Sequence, residues 1–307
     1  MADAAPAEVR VEVEGRTLTL SNLGKVLYPL TGTTKGEVLH YYAQIAPVLL
    51  PHVKDRAMTR IRWPHGTSGP SFFEKNAPLG APSWLRTAEV PSTGSRGESR
   101  YGDRILFPLV DSLADLTYLA NLAALELHVH QWRVDPDGRP RNPDRMVIDL
   151  DPGRPAGLHE CAQVAVLVRE RLAALGLPAV PVTSGSKGLH LYAPMPGELT
   201  ADQVREAAKQ IAEDLQKKHG RLVTAQMTKA KRPGKVFLDW SQNTGSKTTI
   251  SPYSLRGGEA PYAAAPRTWD EVEEGAEVPG ALEHLTYPQV HERVEEHGDI
   301  FGALLDG

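Results

Sequence analysis

The sequence predicts an α+β protein whose carboxyl-terminal half is built around a β-α-β-β-α-β unit. Two observations support this prediction: short apolar runs with strand periodicity alternate with amphipathic helical segments, and a glycine-rich turn joins the second run to the third. The predicted strands are 146–151, 179–183, 189–193 and 236–240, and the predicted helices are 159–175 and 200–218. In this ferredoxin-like arrangement the first strand is central, between the third and the fourth.

Capping signals set the helix boundaries. Thr200 with Gln203, and Thr34 with Glu37, have the capping-box spacing that begins a helix. Gly176 ends the helix that precedes Thr200. The remaining predicted elements are helices at 34–46 and about 111–124, a strand at "LELHVHQW" (125–132) and a short strand near 222–227.

We expect the whole chain, residues 1–307, to form one domain. Its parts are an N-terminal α/β portion at about 15–130, a ferredoxin/RRM-like core at about 145–242 and an acidic segment at about 268–307. Residues 1–8, "MADAAPAE", are predicted to be a loose tail.

The composition is that of an ordinary soluble globular protein, with 41% hydrophobic and 23% charged residues. Cys161 is the single cysteine, so an intrachain disulfide is excluded and a reducing cytosol is expected. No apolar run approaches the ~18 residues of a membrane span. We therefore predict a cytoplasmic protein that does not enter a membrane.

The charge is unevenly distributed along the chain. The net charge is −4, but residues 270–307 contain 11 acidic residues and one arginine, a net of −10, which leaves +6 for residues 1–269. We interpret the acidic stretch as a solvated tail. Residues 216–238 contain seven basic residues and no acidic one, which indicates either a solvated charge run or a loop that faces phosphate.

Two acidic residues interrupt the apolar strand "MVIDLDPG" (146–153). Asp149 and Asp151 point to the same side of that strand, and like charges beside a core cost free energy unless a positive partner lies between them. Metal ligation and a satisfied structural pair both remain open. A second D-x-D pair, Asp135 and Asp137 in "VDPDG", lies in a turn and predicts no site.

A third acidic residue, Asp239 in "VFLDW", falls on the strand predicted to neighbour the first. Three carboxylates on adjacent strands suit hard divalent cations such as Mg²⁺ or Mn²⁺. Two such ions ~3.5–4 Å apart can stabilise the attacking and leaving oxygens of a phosphoryl displacement.

The segment "TSGSKGLHLY" (183–192) is a candidate phosphate-binding turn. Its glycines let backbone N–H groups turn toward an anion, and Ser184, Lys187 and His190 add donors. A plain glycine–serine hairpin is the alternative. The spacing is not that of a P-loop.

The segment "ELHVHQW" (126–132) supports a different function. Glu126, His128 and His130 share one strand face, and an H-x-H pair can bind zinc in hydrolases. Hydrogen-bonded, partly buried structural histidines are the simpler interpretation.

As an ordered set, these motifs resemble the polymerase domain of bacterial ligase D, a member of the archaeo-eukaryotic primase superfamily that serves DNA end joining. The resemblance extends over nearly the whole chain and includes "SNLGKVLYP" (21–29), "TTKGEVLHYY" (33–42), "FFEKNAP" (72–78), "ELHVHQW", "MVIDLDPG", "SGSKGLHLY", "VFLDWSQN" (236–243) and "SPYSLRG" (251–257).

The resemblance implies a primase-polymerase fold, a nucleoside triphosphate substrate and a role for each motif. Two metal ions, preferably Mn²⁺ and otherwise Mg²⁺, would be bound by Asp149, Asp151 and Asp239. The triphosphate would be held by Ser184, Lys187, His190 and Arg256, with His128 lining the nucleotide pocket and Phe72 and Phe73 stacking on a base. A DNA 5′-phosphate would be bound by Asn22, Lys25 and Lys35, and Arg232 would help to order a loop that engages the primer end or the triphosphate.

The implied substrates are DNA ends and gapped or primer–template DNA with a 5′-phosphate, extended preferably with ribonucleotides. The implied partners are Ku and the ATP-dependent ligase and phosphoesterase modules of ligase D. Those modules are absent from this chain, so the expectation is either a stand-alone, nucleoid-associated polymerase or an excised domain. The competing hypotheses are a metal-dependent phosphoesterase that uses the H-x-H strand and a non-catalytic module that binds DNA ends.

Overall fold

The computed structural model describes residues 8–92 and 103–304. The predicted loose tail therefore lies almost entirely outside the described residues. The elements of the first part of the chain are β1 (Glu8–Val13), β2 (Arg16–Ser21), β3 (Val26–Tyr28), β4 (Thr33–Thr34), α1 (Lys35–Val53), β5 (Met58–Arg62), β6 (Phe72–Glu74), β7 (Thr87–Pro91), β8 (Arg104–Pro108), α2 (Leu113–Asn121), β9 (Ala124–Val129) and β10 (Trp132–Val134).

The second part of the chain contains the elements of the predicted β-α-β-β-α-β unit and those that extend it. They are β11 (Pro140–Pro143), β12 (Arg145–Pro152), α3 (Leu158–Ala173), β13 (Val180–Thr183), β14 (Leu189–Pro194), α4 (Ala201–His219), β15 (Val223–Thr224), β16 (Val236–Asp239), β17 (Thr249–Ile250), β18 (Ala265–Pro266), α5 (Trp269–Glu277) and α6 (Tyr287–His297).

Six strands form a large sheet in the order β15-β16-β12-β14-β13-β18. β12 lies between β14 and β16 and is antiparallel to both, as the ferredoxin-like topology predicts. The predicted α+β fold is thus confirmed. The short strand expected near 222–227 is β15, which pairs with β16 in parallel.

A second sheet, β17-β9-β5-β6, packs with α1 and α2. Three of its strands belong to the N-terminal portion, and β17 comes from the carboxyl-terminal half. Thr34 caps α1 with the predicted capping box, but the helix continues to Val53 instead of ending at residue 46. Pro47 and Pro51 lie inside it and cannot donate backbone hydrogen bonds, yet Leu49 and Val53 continue its fully buried stripe. Burial therefore outweighs the two missing bonds.

Two hydrophobic cores lie on opposite faces of the large sheet. One contains Ile148 and Leu150 of β12 together with the apolar faces of α3 and α4. The other contains Val147 and Tyr192 together with α1, α2 and the second sheet. Since side chains alternate along β12, Asp149 and Asp151 lie on the same face as Val147.

The acidic carboxyl-terminal stretch is folded, so its interpretation as a solvated tail is wrong. It forms α5 and α6 and buries Val272, Leu282, Val290 and Phe301 against the two cores. A few apolar residues at helical spacing are enough to anchor helices whose other faces carry the acids. Among the described residues, no helix has the length and the hydropathy needed to cross a membrane.

Candidate functional site

The register of the large sheet brings the predicted acidic residues together. Asp149 on β12 lies directly opposite His190 on β14 and, on its other side, directly opposite Asp239 on β16. Directly opposed residues share a face, and Asp151, two residues along β12, shares it too. Four side chains from three strands therefore meet on one face, as the predicted topology requires.

This register is fixed by the other face of the sheet. Ile148, Leu150 and Leu238 alternate with the aspartates and are buried against α3 and α4. A slip of one residue would expose these side chains and drive the aspartates into the core. The hydrophobic pattern thus determines where the carboxylates lie.

Asp149 is a carboxylate with too little positive charge around it. Burial, together with the neighbouring carboxylates of Asp239 and Asp151, raises its pKa to about 7. His190 Nε2 lies 3.4 Å from Asp149 Oδ1, but burial and nearby cations lower the pKa of His190 to about 3. His190 is therefore a neutral partner.

Asp239 is held by its own neighbours along the chain. Its Oδ1 accepts hydrogen bonds from the backbone N–H and the hydroxyl of Ser241. The side-chain amide of Gln242 donates to Asp239 Oδ2 at 3.2 Å and reaches Asp149 Oδ2 at 3.5 Å. Lys247 Nζ lies 4.0 Å from Asp239 Oδ2. Gln242 thereby links the two carboxylates.

Asp151 has a direct positive partner, Arg232. Arg232 Nη1 lies 3.2 Å from Asp151 Oδ2, and its guanidinium carbon lies 3.7 Å from the ring centroid of Phe237. Arg232 Nη2 also donates to the carbonyl of Met227 at 2.8 Å. A cavity of about 560 Å³ opens here, and its lining includes Asp151, Lys187, Lys229 and Arg232.

The glycine-rich turn, residues 184–188, connects β13 to β14. Ser184 Oγ accepts hydrogen bonds from the backbone N–H groups of Ser186, Lys187 and Gly188 at 3.2–3.3 Å. The N–H groups expected to face an anion are thus directed at Ser184 Oγ in the structure. The exposed Lys187 side chain is the part of the turn that remains available to one.

Arg256 joins this turn to the second sheet. Its Nε donates to the carbonyl of Ser184 at 2.9 Å, and its Nη1 lies 3.0 Å from Glu126 Oε2. Glu126 also accepts a hydrogen bond from the backbone of Gly257 and lies 2.7 Å from His128 Nε2. Glu126 therefore orients two of the residues assigned to the nucleotide pocket.

The two histidines of the H-x-H pair have different surroundings. β9 ends at Val129, so His130 lies beyond the strand. It is buried, lies 2.9 Å from the carbonyl of Ala57 and stacks on Trp132 at 4.2 Å between ring centroids. His128 instead faces Glu126. The pair thus fits the structural interpretation better than a shared zinc site.

Phe72 and Phe73 lie on β6, the edge strand of the second sheet. Both rings are about half exposed, at 47% and 48%. Phe73 lines a cavity of about 520 Å³ together with Arg62 and Tyr118. Large apolar rings left open to solvent beside a cavity are available for stacking.

Asn22, Lys25 and Lys35 surround the start of α1. The Lys35 N–H donates to the Lys25 carbonyl at 2.8 Å, which holds the loop against the helix start. The Lys35 ammonium is buried and donates to the carbonyl of Ser21 at 2.5 Å. Burial, together with the nearby Lys25, lowers the pKa of Lys35 to about 8. Asn22 and Lys25 are exposed.

The carboxylates fit a divalent cation by donor type and by charge. Their oxygens are hard ligands, and the like charges beside Asp149 require a positive partner. Across residues 8–92 and 103–304, however, no group of three or more His, Cys, Asp or Glu side chains is arranged to hold a metal ion. Asp239 is turned toward Ser241 and Gln242, and Asp151 toward Arg232. The three carboxylates therefore share one face of the sheet but do not converge on one point.

Three side chains of this site were not predicted. Gln242 and Lys247 contact the aspartates from the segment after β16, and Glu126 holds Arg256. The H-x-H strand pointed to Glu126, although for a different function. Gln242 follows Asp239 within "VFLDWSQN", but side-chain amides are common in loops and no spacing rule singles it out.

The family model for the LigD primase-polymerase domain matches residues 34–301. The chain is 47% identical over 292 residues to the multifunctional non-homologous end joining DNA repair protein LigD of Mycobacterium tuberculosis, which covers 94% of this chain and 37% of that relative. It is 32% identical over 285 residues to the bifunctional non-homologous end joining protein LigD of Bacillus subtilis, covering 92% of this chain and 43% of that relative.

A solved structure is similar over the same length. The polymerase domain from Mycobacterium tuberculosis ligase D, in complex with DNA, superposes with a TM-score of 0.85 at 46% identity. The match covers 94% of this chain and 97% of that one. This chain thus spans one domain's length of relatives that are more than twice as long.

Proposed function

Because the chain belongs to the LigD primase-polymerase domain family, we propose that it is a template-directed nucleotidyltransferase that extends primer ends at gaps and double-strand breaks in bacterial non-homologous end joining. The observation that carries this proposal is the sheet register that sets Asp149 between His190 and Asp239, with Asp151 on the same face. Carboxylates clustered on one face are what a phosphoryl-transfer site with divalent cations requires.

In the proposed reaction a primer 3′-hydroxyl attacks the α-phosphate of a nucleoside triphosphate, and pyrophosphate leaves. Asp149, Asp151 and Asp239 would hold Mn²⁺ or Mg²⁺. Bound divalent ions would lower the pKa of the attacking hydroxyl and neutralise charge on the leaving group. Arg232, which is the partner of Asp151 in the structure, would be free to order the loop that engages the primer end.

The incoming nucleotide would lie beside the glycine-rich turn. Lys187 and Arg256 supply positive charge, Ser184 and His190 supply polar groups, and His128 lines the pocket next to Glu126. Phe72 and Phe73 would stack on a base. We expect ribonucleotides to be preferred, as the family resemblance implies.

The DNA end would be anchored through its 5′-phosphate by Asn22, Lys25 and Lys35. Tyr28 lies three residues after Lys25, and its hydroxyl donates to the carbonyl of Arg256 at 2.7 Å. This hydrogen bond supports coupling between the phosphate pocket and the nucleotide site. Ku and the ligase and phosphoesterase activities of end joining are the proposed partners.

Primer extension with Asp149→Ala tests the proposal. We expect the rate to fall at least about a thousandfold, because several kcal/mol of charge stabilisation would be lost. The melting temperature should stay the same or rise, since one of three repelling carboxylates is removed. Asp137→Ala is the matched control, because it removes one aspartate of the exposed turn pair.

The same assay separates the competing functions when it is run with ribonucleotides and deoxynucleotides, each with Mn²⁺ and with Mg²⁺. A zinc-dependent phosphoesterase would release phosphate without a triphosphate donor, and a binding module would ignore metal and nucleotide. Near wild-type extension by the Asp149 variant would refute the assigned site.

The 5′-phosphate pocket makes a second, independent prediction. A 5′-phosphate on the downstream strand should strengthen binding and stimulate gap filling, and Lys25→Ala and Lys35→Ala should remove that benefit. Both variants should still extend a recessed primer, which has no downstream phosphate. Binding should also become less dependent on salt, because fewer phosphate contacts release fewer counterions.

The control for these lysines is Lys217→Ala, which removes an exposed lysine at the end of α4. A response to the 5′-phosphate that is as strong in both lysine variants as in the wild-type protein would place the pocket elsewhere.

A further inference from the structure

The side-chain amide of Gln242 lies between two of the three aspartates. Its Nε2 is 3.2 Å from Asp239 Oδ2 and 3.5 Å from Asp149 Oδ2. Ionised carboxylates accept hydrogen bonds and do not donate them, so the amide presents its NH₂ group, which has one hydrogen for each carboxylate. The point between these two oxygens is therefore taken by a donor that belongs to the chain itself.

The residues on both sides of Gln242 hold it at this point. Gln242 lies in a short 3-10 turn directly after β16. On one side, the Ser241 N–H donates to Asp239 Oδ1 at 3.1 Å. On the other, the buried Asn243 amide accepts from the Val147 N–H at 2.9 Å and donates to the Val147 carbonyl at 2.7 Å.

The two Asn243 contacts continue the pairing of β12 where β16 ends. The last β16 residue that pairs with β12 is Asp239, opposite Asp149. Beyond it, the Asn243 side chain takes the place of a strand neighbour at Val147. The turn is thus attached to both strands that carry the aspartates, and this attachment directs Gln242 at the space between them.

The amide and a divalent cation would interact with the same oxygens in different ways. An amide carries no net charge, so it gives each carboxylate a hydrogen bond but leaves their mutual repulsion in place. A divalent cation takes carboxylate oxygens as ligands and also neutralises their charge. An oxygen that faces the amide is therefore not available to a cation until the amide moves away.

We propose that Gln242 is a positioning residue that holds Asp149 and Asp239 through its amide and competes with a divalent cation for the oxygens between them. The arrangement in which the three carboxylates do not converge on one point is then the one that this amide stabilises. This inference rests on the proposed function only in that the cation binds Asp149 and Asp239.

The experiment measures Mn²⁺ binding by the wild-type protein, Gln242→Met and Gln242→Ala, without DNA or nucleotide. Electron paramagnetic resonance of free Mn²⁺ gives the dissociation constant, and Asp149→Ala, which should abolish binding at this site, identifies the relevant signal. Methionine is also unbranched but has no donor. We expect both Gln242 variants to bind Mn²⁺ about three- to tenfold more tightly, the factor that corresponds to one ordinary hydrogen bond lost from the competing arrangement.

Thermal unfolding supplies a measurement that a purely structural glutamine would not change. Saturating Mn²⁺ should raise the melting temperature more in Gln242→Met than in the wild-type protein, because no amide contact has to be broken. A purely structural role would shift the melting temperature equally with and without Mn²⁺. Gln210→Met is the matched control, because Gln210 is an exposed glutamine of α4.

Unchanged Mn²⁺ affinity in both Gln242 variants would overturn the inference. Weaker affinity would overturn it as well, because Gln242 would then assist cation binding. If the expected pattern of Mn²⁺ affinities is found but the wild-type protein extends no primer, the proposed function fails and the inference stands. A wild-type protein that binds no Mn²⁺ would overturn the inference, while primer extension with Mg²⁺ would still decide the function.

Discussion

The pKa values of two carboxylates, the buried Glu126 and the partly buried Asp149, are shifted in opposite directions by their neighbours. Burial alone would raise the pKa of Glu126, but His128, Arg256 and the Gly257 N–H lower it to about 2. Asp149 is surrounded by other carboxylates, and its pKa is raised to about 7. A carboxylate with donors around it stabilises the fold, whereas the ionised form of one among like charges is destabilised unless a cation lies beside it.

The depressed pKa of Glu126 makes stability depend on pH. An ordinary glutamate has a pKa near 4.5, so Glu126 contributes stability above that pH and loses it as pH falls toward 2. Glu126→Gln should lower the free energy of unfolding at pH 7 by on the order of 3 kcal/mol and should weaken its decline between about pH 4.5 and 2. Urea unfolding across that range measures both effects.

Glu259→Gln is the control for this prediction, because it removes an exposed carboxylate three residues beyond Arg256. If the two variants follow parallel curves of stability against pH, Glu126 does not have the role assigned to it.

At the scale of elements, the glycine-rich turn depends on a close approach between β12 and β14. A Cβ at Gly188 would lie 1.9 Å from the Leu150 carbonyl oxygen and 3.0 Å from Pro152 Cδ. Gly188→Ala should therefore separate the strands next to Asp149 and Asp151, and we expect a loss of at least about 2 kcal/mol in unfolding free energy.

Chemical denaturation of Gly188→Ala, with Gly258→Ala as the control, measures this loss. Gly258 has no atom within 4 Å of an added Cβ and has an ordinary backbone conformation. Similar stabilities for the two variants would contradict the assigned close approach.

Periodicity predicted the elements whose own residues show a helical or strand pattern. The β-α-β-β-α-β unit could be predicted because each of its helices has an apolar stripe and each of its main strands an apolar run. β17 and β18 could not, because Thr249–Ile250 and Ala265–Pro266 are two-residue strands defined by their distant partners. The length of α1 was underestimated because Pro47 ordinarily ends a helix.

In the candidate site, the residues on regular strands could be predicted to lie together, and the contacts made from irregular segments could not. Asp149 and Asp239 could be placed together because topology alone makes their strands adjacent. The contacts of Gln242 and Lys247 with the aspartates depend on how irregular segments cross the sheet, and no periodicity governs those segments. The direction of Arg232 toward Asp151 follows from loop geometry for the same reason.

At the scale of the whole molecule, both faces of the large sheet are covered, and three tyrosines connect the two halves. The hydroxyls of Tyr28 and Tyr41 donate to the carbonyls of Arg256 and Tyr253 at 2.7 Å, and the Tyr42 hydroxyl accepts a hydrogen bond from the Leu255 N–H at 3.1 Å. Tyr28 lies between Lys25 and Lys35 of the proposed phosphate pocket, and Tyr41 and Tyr42 lie on α1, which begins at Lys35. The N-terminal portion and the carboxyl-terminal half are therefore joined through buried polar contacts as well as apolar packing.

α5 places negative charge on one side of the molecule. α5 packs on α3, on the side of the large sheet opposite the aspartates, and its Glu274 and Glu277 are exposed. A polyanion that approaches this side would be repelled. Encounters in which α5 faces the DNA would therefore dissociate quickly. The acidic helix would thus contribute to electrostatic steering, which favours encounters in which the face that carries the aspartates points toward the duplex.

Reversing the charges with Glu274→Lys and Glu277→Lys should then tighten binding to duplex that lacks a 5′-phosphate, several-fold at low salt. Extension per bound complex should fall, because more complexes would form through the back of the molecule. Both changes should disappear at about 0.5 M salt, because screening then limits the interaction between exposed charges to a few ångströms. If extension instead rose in proportion to binding, the negative charge on α5 would be a property of the surface with no bearing on how the protein meets its substrate.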